Sequence, residues 1–224
     1  MYPTQEKKRF ISSTSKRKAI YIAFLFLLVL LSLLVSNVAH SKGVYQTIPN
    51  FLTENFHPST PKASSLWLTP DLKIIASKIL DRKVRGIRIR YWKEGEKTAW
   101  IMEEIGKELP ITIGVVVNGI NEDSHIEHVK ILAFRESRGW EVRYPAFTAQ
   151  YQNVKITTPN HKLDQHIDGI TGATLSVRAV TKVARLALFF HQQVYDQQAL
   201  HQRATTLNTD QPKLENPQLA PKTP

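Results

Sequence analysis

The chain has 224 residues, no cysteine and a formal net charge of +11 at pH 7. Without cysteine there is no disulfide, no thiolate zinc site, no cysteine nucleophile and no cysteine-ligated iron–sulfur cluster. The positive charge suggests an anionic partner, but much of it lies in residues 1–18, beside an apolar run. The remainder is mildly basic and lacks the Arg-rich helix or aromatic pattern of a nucleic-acid binder, so no nucleic-acid partner is expected.

The first feature along the chain is a predicted membrane anchor. Residues 1–18 are polar and basic, and residues 19–39 are almost wholly apolar. About 20 helical residues span a bilayer core, and the basic flank predicts that the N-terminus stays in the cytoplasm. We therefore expect a single-pass protein of the cytoplasmic membrane, with its domain in the periplasm or extracytoplasmic space. A cleaved signal peptide is the alternative, and it exports the same domain.

A linker and the first helix of the domain follow. Residues 40–66 contain three prolines and several Ser/Thr residues and read as a linker, in which Phe51, Leu52 and Phe56 suggest a short helix that packs on the domain. The domain is predicted to span residues 67–198. Its first helix begins with Thr69 as N-cap and Pro70 at the first helical position, and should end near Asp81.

The middle of the domain predicts an antiparallel sheet. Alternating or apolar stretches at residues 86–92, 98–102, 111–117 and 125–134 read as four consecutive strands with short connections. An aromatic-rich stretch and a polar loop follow, and a helix with one broad apolar face begins after Thr174. Residues 199–224 are rich in Gln, Pro, Thr and Asn and predict a disordered tail. The expected fold class is α+β, an antiparallel sheet with flanking helices preceded by one transmembrane helix.

The stretch Asp168-Gly169-Ile170-Thr171-Gly172-Ala173-Thr174-Leu175-Ser176 joins the polar loop to this last helix. The N–H groups at a helix start are unpaired and that end of the helix dipole is positive, so the place suits a phosphate. Small residues allow a phosphate or a modifying enzyme to approach the backbone. A threonine there can be a cap, a phosphate ligand or a point of covalent attachment.

Residues 168–174 resemble the flavinylation motif Asp-x-x-(Ser/Thr)-Gly-Ala-(Thr/Ser) of the FMN-binding domain family. Members of that family include flavinylated subunits of sodium-translocating and Rnf-type electron-transport complexes. The resemblance implies that Thr174 carries FMN through a phosphoester bond. It also implies that a flavin transferase installs the group from FAD, with Mg²⁺ needed only during the transfer. A helix cap without cofactor is the simpler alternative.

A second segment, Glu136-Ser137-Arg138-Gly139, resembles the Glu-(Thr/Ser)-x-Gly segment that lies beside the flavin in the same family. Family members often continue with Pro-Gly, whereas this chain has Arg138-Gly139-Trp140, so an ordinary strand-ending turn is the alternative. The candidate cofactor-binding residues are therefore Thr174 and the following eight: Asp168, Thr171, Gly172, Ala173, Ser176, Glu136, Ser137 and Gly139.

Other side chains are weighed against simpler roles. Asp168 is expected either to hold Mg²⁺ or orient the acceptor hydroxyl during flavin transfer, or to favour the helix N-terminus. The aromatic candidates for stacking on the flavin ring, each with core packing as the alternative, are Trp140, Tyr144, Phe147 and Tyr151. The basic residues that would offset a phosphate or lie on the solvated surface are Arg138, Arg178, Lys182 and Arg185. No resident metal is expected, since the spacing of His161 and His166 matches no helical pair of metal ligands. No catalytic residue of the chain's own is expected either.

The predicted function is that of a membrane-anchored, extracytoplasmic flavoprotein that carries covalent FMN and exchanges electrons with membrane or periplasmic redox proteins. A carrier or subunit is favoured over a stand-alone enzyme, because the chain has no nicotinamide-binding glycine fingerprint. The alternative is noncovalent binding of a flavin or another phosphate ligand in a sensor or an assembly subunit.

Overall fold

The computed structural model describes residue 18, residues 21–27 and residues 43–209, with side chains described as far as residue 200. Residues 21–27 are helical, but most of the predicted anchor at 19–39 and the end of the predicted tail lie outside the described residues. Among the residues that are described, no helix is both long and apolar enough to cross a membrane. The chain divides between Lys42 and Gly43 into two units, and the following concerns the second.

The second unit is an α+β domain, as predicted. Its elements in chain order are α1 (Ile48–Asn55), β1 (Ala63–Trp67), α2 (Pro70–Leu80), β2 (Arg88–Glu94), β3 (Lys97–Ile105), β4 (Pro110–Asn118), β5 (His125–Ala133), α3 (Pro145–Thr148), β6 (Ile156–Thr157), β7 (Lys162–Leu163) and α4 (Thr174–Thr209). Single 3₁₀ turns at Asn121–Asp123, Trp140–Arg143 and Ala149–Tyr151 lie in the connections.

The main sheet has five antiparallel strands in the order β1-β2-β3-β4-β5. The four predicted strands are β2 to β5. The additional strand, β1, lies at the end of the segment predicted as a linker, and it pairs with β2 from Ala63↔Trp92 to Trp67↔Arg88. Only Leu66 of this strand is buried, so its sequence has no alternating apolar pattern to reveal it.

The two faces of the sheet are covered by different helices. Trp100 and Val115 face the large core, where α4 and α2 pack. On the opposite face Ala99 and Val116 contact the short helix α1 through Phe51. A Cβ atom at Gly114 would lie 2.6 Å from the Phe51 ring, so the glycine makes room for this helix. The helix suggested by Phe51, Leu52 and Phe56 is thus present, and all three side chains are buried.

The helix boundaries agree with the sequence at one end of the domain and differ at the other. Thr69 caps α2 by accepting a hydrogen bond from the N–H of Leu72 (3.3 Å), and the C-cap residue Asp81 is in the left-handed conformation. In contrast α4 continues to Thr209, whereas a disordered tail was predicted from residue 199. Residues 197–204 include Gln, Ala, Leu and Arg, which propagate a helix without needing a buried face.

Candidate functional site

The two segments singled out in the sequence meet at one cavity of about 570 Å³. One wall is the turn after β5 and the other is the start of α4, with one residue from the β3–β4 loop between them. The lining residues are Lys107, Glu136, Ser137, Arg138, Gly172, Ala173, Thr174, Leu175 and Ser176. Six of the nine predicted site residues are in this set.

Gly139 brings the two walls into contact. Its φ of +85° is in the left-handed region that favours glycine. A Cβ atom at this position would lie 2.5 Å from Ser176 Oγ and 3.3 Å from Ala173 Cβ. The glycine of one segment therefore packs directly on the small residues of the other, both of which are buried. This explains why Gly139 supports the cavity without lining it.

Glu136 organises the third side of the cavity. Its Oε1 atom accepts hydrogen bonds from the backbone N–H groups of Lys107 (2.5 Å), Glu108 (2.7 Å) and Leu109 (2.9 Å). Desolvation of the carboxylate opposes ionisation, but these three donors outweigh it and hold the pKa of Glu136 below its ordinary value. The carboxylate thus fixes the β3–β4 loop, and the three backbone N–H groups stabilise its negative charge.

Thr174 presents its side chain at the mouth of the cavity. It is the first residue of α4 and is exposed, whereas Ala173 and Ser176 on either side are buried. The N–H groups of the first turn have no partner within the helix. Gly172 has a φ of +81°, and a Cβ atom there would meet nothing within 4 Å. The approach to the Thr174 hydroxyl is therefore open and bordered by unpaired N–H donors.

Asp168 and Thr171 do not line the cavity, although both are exposed. The N–H of Asp168 donates to Gln150 Oε1 (2.7 Å), which fixes the backbone at this point. Its carboxylate is 83% exposed and lies 3.8 Å from His166 Nε2. The carboxylate is thus accessible from outside the molecule rather than directed into the cavity wall.

The four aromatic candidates separate into two pairs. Phe147 and Tyr151 belong to the large core, and the Tyr151 hydroxyl shares a hydrogen bond with Thr181 (2.8 Å). Trp140 and Tyr144 are 39% and 43% exposed and form an edge-to-face pair with ring centroids 5.2 Å apart. Only this second pair is exposed, and the Arg143 guanidinium lies 5.1 Å from the centre of the Trp140 ring and 5.4 Å from that of Tyr144. Trp140 follows Gly139 directly in sequence but does not line the cavity.

The basic candidates also separate. Arg138 lines the cavity, and Arg178 is exposed one turn beyond Thr174 on α4. Lys182 Nζ instead donates to the Leu80 carbonyl (2.7 Å), and Arg185 Nε donates to the His161 carbonyl (2.6 Å). These last two serve the structure of the domain and are directed away from the cavity.

Two lining residues, Lys107 and Leu175, were not identified from the sequence. Lys107 belongs to the β3–β4 loop, which Glu136 holds at the cavity through backbone hydrogen bonds. No local pattern around Lys107 signals this long-range contact. Leu175 is 42% exposed, and its place directly after Thr174 was the only signal in the sequence.

Residues 106–188 match the family model described as the FMN-binding domain. This segment belongs to the FMN-binding domain family. It begins in the β3–β4 loop and ends within α4, so it contains all the residues that line the cavity. No curated protein matches the chain. The match over residues 106–188 supports FMN as the cofactor of this domain and the description of the protein as a flavoprotein.

The cavity of the FMN-binding domain fits this cofactor in size and chemistry. Its volume lies within the range of ordinary ligand sites, about 300–1,000 Å³. The unpaired N–H groups at the start of α4 and the guanidinium of Arg138 suit a phosphate. The exposed apolar surface of Leu175, which lines the cavity, suits an aromatic ring system.

Proposed function

We propose that the chain carries FMN covalently on Thr174 and passes electrons between redox partners outside the cytoplasm, held at the membrane by residues 19–39. The observation that carries this proposal is the position of Thr174: an exposed hydroxyl at a helix start, in the cavity of an FMN-binding domain. When bound, the flavin supplies the redox chemistry, and the protein supplies binding, orientation and electrostatics.

The attachment step requires a hydroxyl that an enzyme can reach. The Thr174 oxygen forms a bond to the FMN phosphorus of FAD, the pyrophosphate bond breaks, and AMP leaves with the other phosphate. The hydroxyl proton passes to a base of the flavin transferase or to water. The exposed carboxylate of Asp168 is suited to Mg²⁺ or to the transferase during this step. Gly172 leaves the approach to the hydroxyl free of side chains.

The resulting phosphate diester bears one negative charge, which the site can stabilise. Arg138 lines the cavity and Arg178 follows one helical turn after Thr174. Neither has a carboxylate within ion-pair distance in the described part of the chain, so both guanidinium groups are free to face the phosphate. Covalent attachment suits an exported carrier, since a flavin that dissociates outside the cytoplasm is lost by dilution.

The test is co-expression with a flavin transferase, followed by denaturing gel electrophoresis and intact mass measurement. The wild-type chain should show flavin fluorescence that survives SDS and a mass increase equal to FMN minus water. Thr174→Ala should lose both, because it lacks the acceptor oxygen. Thr171→Ala is the matched control, since Thr171 is also exposed and belongs to the same motif but does not line the cavity.

The other outcomes also have a defined meaning. Flavin that is bound in the native protein but lost in SDS would replace the covalent proposal with noncovalent binding. Fluorescence that survives in Thr174→Ala and vanishes in Thr171→Ala would move the acceptor to Thr171. Bleaching of the bound flavin by a membrane fraction supplied with a reductant is expected for an electron carrier, and no bleaching would argue for a structural subunit.

A further inference from the structure

A gap opens in the main sheet between β2 and β3. The two strands pair from Glu94↔Lys97 to Tyr91↔Trp100. Beyond this point residues 88–90 pair with β1 alone, and residues 101–105 pair with β4 alone. The two strands therefore diverge at the start of β2, where a continuous sheet would hold them about 4.8 Å apart.

The gap leads into an apolar slot of about 280 Å³. The slot passes between the strands to the large core, where it reaches side chains of α2 and α4. Its apolar lining residues are Leu68, Leu80, Val84, Ile89, Ile101, Met102, Val183, Leu186 and Phe190. None of its lining residues belongs to the FMN cavity, so the slot is a separate site.

Three arginines and one carboxylate surround the entrance to the slot. Arg82 is already bound to Glu104, through Nη2 at 2.7 Å and Nε at 3.1 Å. The carboxylate of Glu103 accepts a hydrogen bond from Thr112 (2.8 Å). Arg85 and Arg88 are exposed and have no carboxylate within 4 Å among the described residues. The entrance therefore has two guanidinium groups without an anionic partner.

We propose that this slot binds an amphiphile with one alkyl chain and an anionic head group. The chain enters between β2 and β3 and contacts the apolar lining, while a carboxylate or phosphate head binds Arg85 and Arg88. An alkyl chain fits because the slot is lined mainly by apolar side chains and, at about 280 Å³, is below the usual volume of drug-sized ligand sites. An anionic head fits because a guanidinium group binds carboxylate and phosphate oxygens in a bidentate manner. Free fatty acids and lysophospholipids share this chemistry.

Photo-crosslinking of the full chain in its native membrane tests this proposal directly. The probe is dodecanoate with a diazirine on its alkyl chain, and mass spectrometry locates the modified peptides. The expected result is labelling of peptides within residues 80–90, 100–103 and 183–190, which line the slot. Unlabelled dodecanoate and lysophosphatidate should compete, whereas dodecyltrimethylammonium, with the same chain length and a cationic head, should not. The readout involves no flavin, so it is independent of the proposed electron-transfer function.

Matched variants separate the slot from general membrane labelling. The double change Arg85→Gln and Arg88→Gln should reduce labelling of these peptides by about tenfold, because two charge-assisted contacts are lost. Arg90→Gln is the control: it is exposed and lies on the same strand but does not line the slot. Val84→Trp should abolish labelling by filling the slot, while its backbone hydrogen bond to Ser77 Oγ is kept.

Three results would overturn the proposal. One is equal competition by the cationic amphiphile, which would show that the arginines do not select an anionic head group. Another is the absence of label from all three peptides that line the slot, in a chain that is labelled elsewhere. The third is undiminished labelling in the double arginine variant, which retains its fold because both side chains are exposed. If Val84→Trp fails to accumulate, the arginine pair and its Arg90→Gln control still decide the outcome.

Discussion

At the scale of single residues, Gly139 decides how closely the two halves of the FMN cavity approach. We predict that Gly139→Ala destabilises the domain by about 2–4 kcal/mol, since the new Cβ meets Ser176 Oγ at 2.5 Å and the residue keeps a φ of +85°. Gly172→Ala is the control, since its φ is +81° and its surroundings are open. It should cost only about 1 kcal/mol of backbone strain.

Urea denaturation of both variants measures this difference in the free energy of unfolding. Covalent flavin content, measured in the same preparations, shows whether the start of α4 has moved. Equal destabilisation in the two variants would mean that backbone strain alone matters and that the contact with Ser176 relaxes without cost. The sequence predicted both glycines as site residues. It could not distinguish their roles, because the difference depends on which side chain stands opposite each one.

At the scale of elements, a buried chain of hydrogen bonds joins α4 to the sheet. Trp100 Nε1 donates to Thr98 Oγ1 (2.8 Å), and this hydroxyl lies 2.7 Å from His191 Nδ1. His191 Nε2 lies 2.7 Å from the Gly119 carbonyl, which can only accept, so this nitrogen carries the proton. The neutral imidazole therefore satisfies every member of the chain. A second ring proton would face a hydroxyl that is already donating to the ring.

This arrangement predicts a specific loss of stability in mild acid. Burial lowers the pKa of His191 to about 4, against about 6.5 in an unfolded chain. Between these values the unfolded state binds more protons, so the free energy of unfolding falls as pH decreases from about 6.5 to about 4. The full loss is about 3 kcal/mol, at 1.4 kcal/mol per unit of pKa difference. Glu136 affects stability in a lower range of pH. Because its pKa is lowered in the folded state, its contribution to the free energy of unfolding is lost only as the pH falls below the ordinary pKa of a glutamate.

Denaturation curves at pH 7, 6, 5 and 4.5 test this prediction. His191→Gln should have a lower free energy of unfolding than the wild type at pH 7. Between pH 6.5 and 4.5, however, the free energy of unfolding of this variant should decrease much less than that of the wild type. His166→Gln is the control, since the His166 side chain is 87% exposed. A decrease of the same size in wild type and His191→Gln would assign the acid sensitivity to another group.

Some of these elements could be predicted from local sequence patterns, and others could not. The strands β2 to β5 and the start of α2 follow from alternation and from the Thr69-Pro70 capping pair. The strand β1 does not, because Leu66 is its only buried residue and pairing with β2 defines it. The gap between β2 and β3 is likewise absent from any local pattern. Both strands look regular in sequence, and their divergence exists only in three dimensions.

At the scale of the whole molecule, the two units have separate roles in our proposal. Among the residues that the structure describes, all members of the two hydrophobic cores lie between Phe51 and Val194, so the domain has a core of its own. The second core depends on α1, whose Phe51 and Leu52 cover Val116 and Leu132. We therefore expect residues 1–42 to determine membrane location and residues 43–58 to contribute to the stability of the domain.

Two deletions test this division. Removal of residues 1–42 should leave a stable domain that still accepts flavin but moves from the membrane fraction to the soluble fraction. Removal of residues 1–58 also takes away Phe51, Leu52 and Phe56, whose burial contributes on the order of 5 kcal/mol. Since this is comparable to the total stability of a small domain, the longer deletion should unfold at a much lower temperature or fail to accumulate. Continued membrane association after the shorter deletion would show that another surface of the domain binds the membrane.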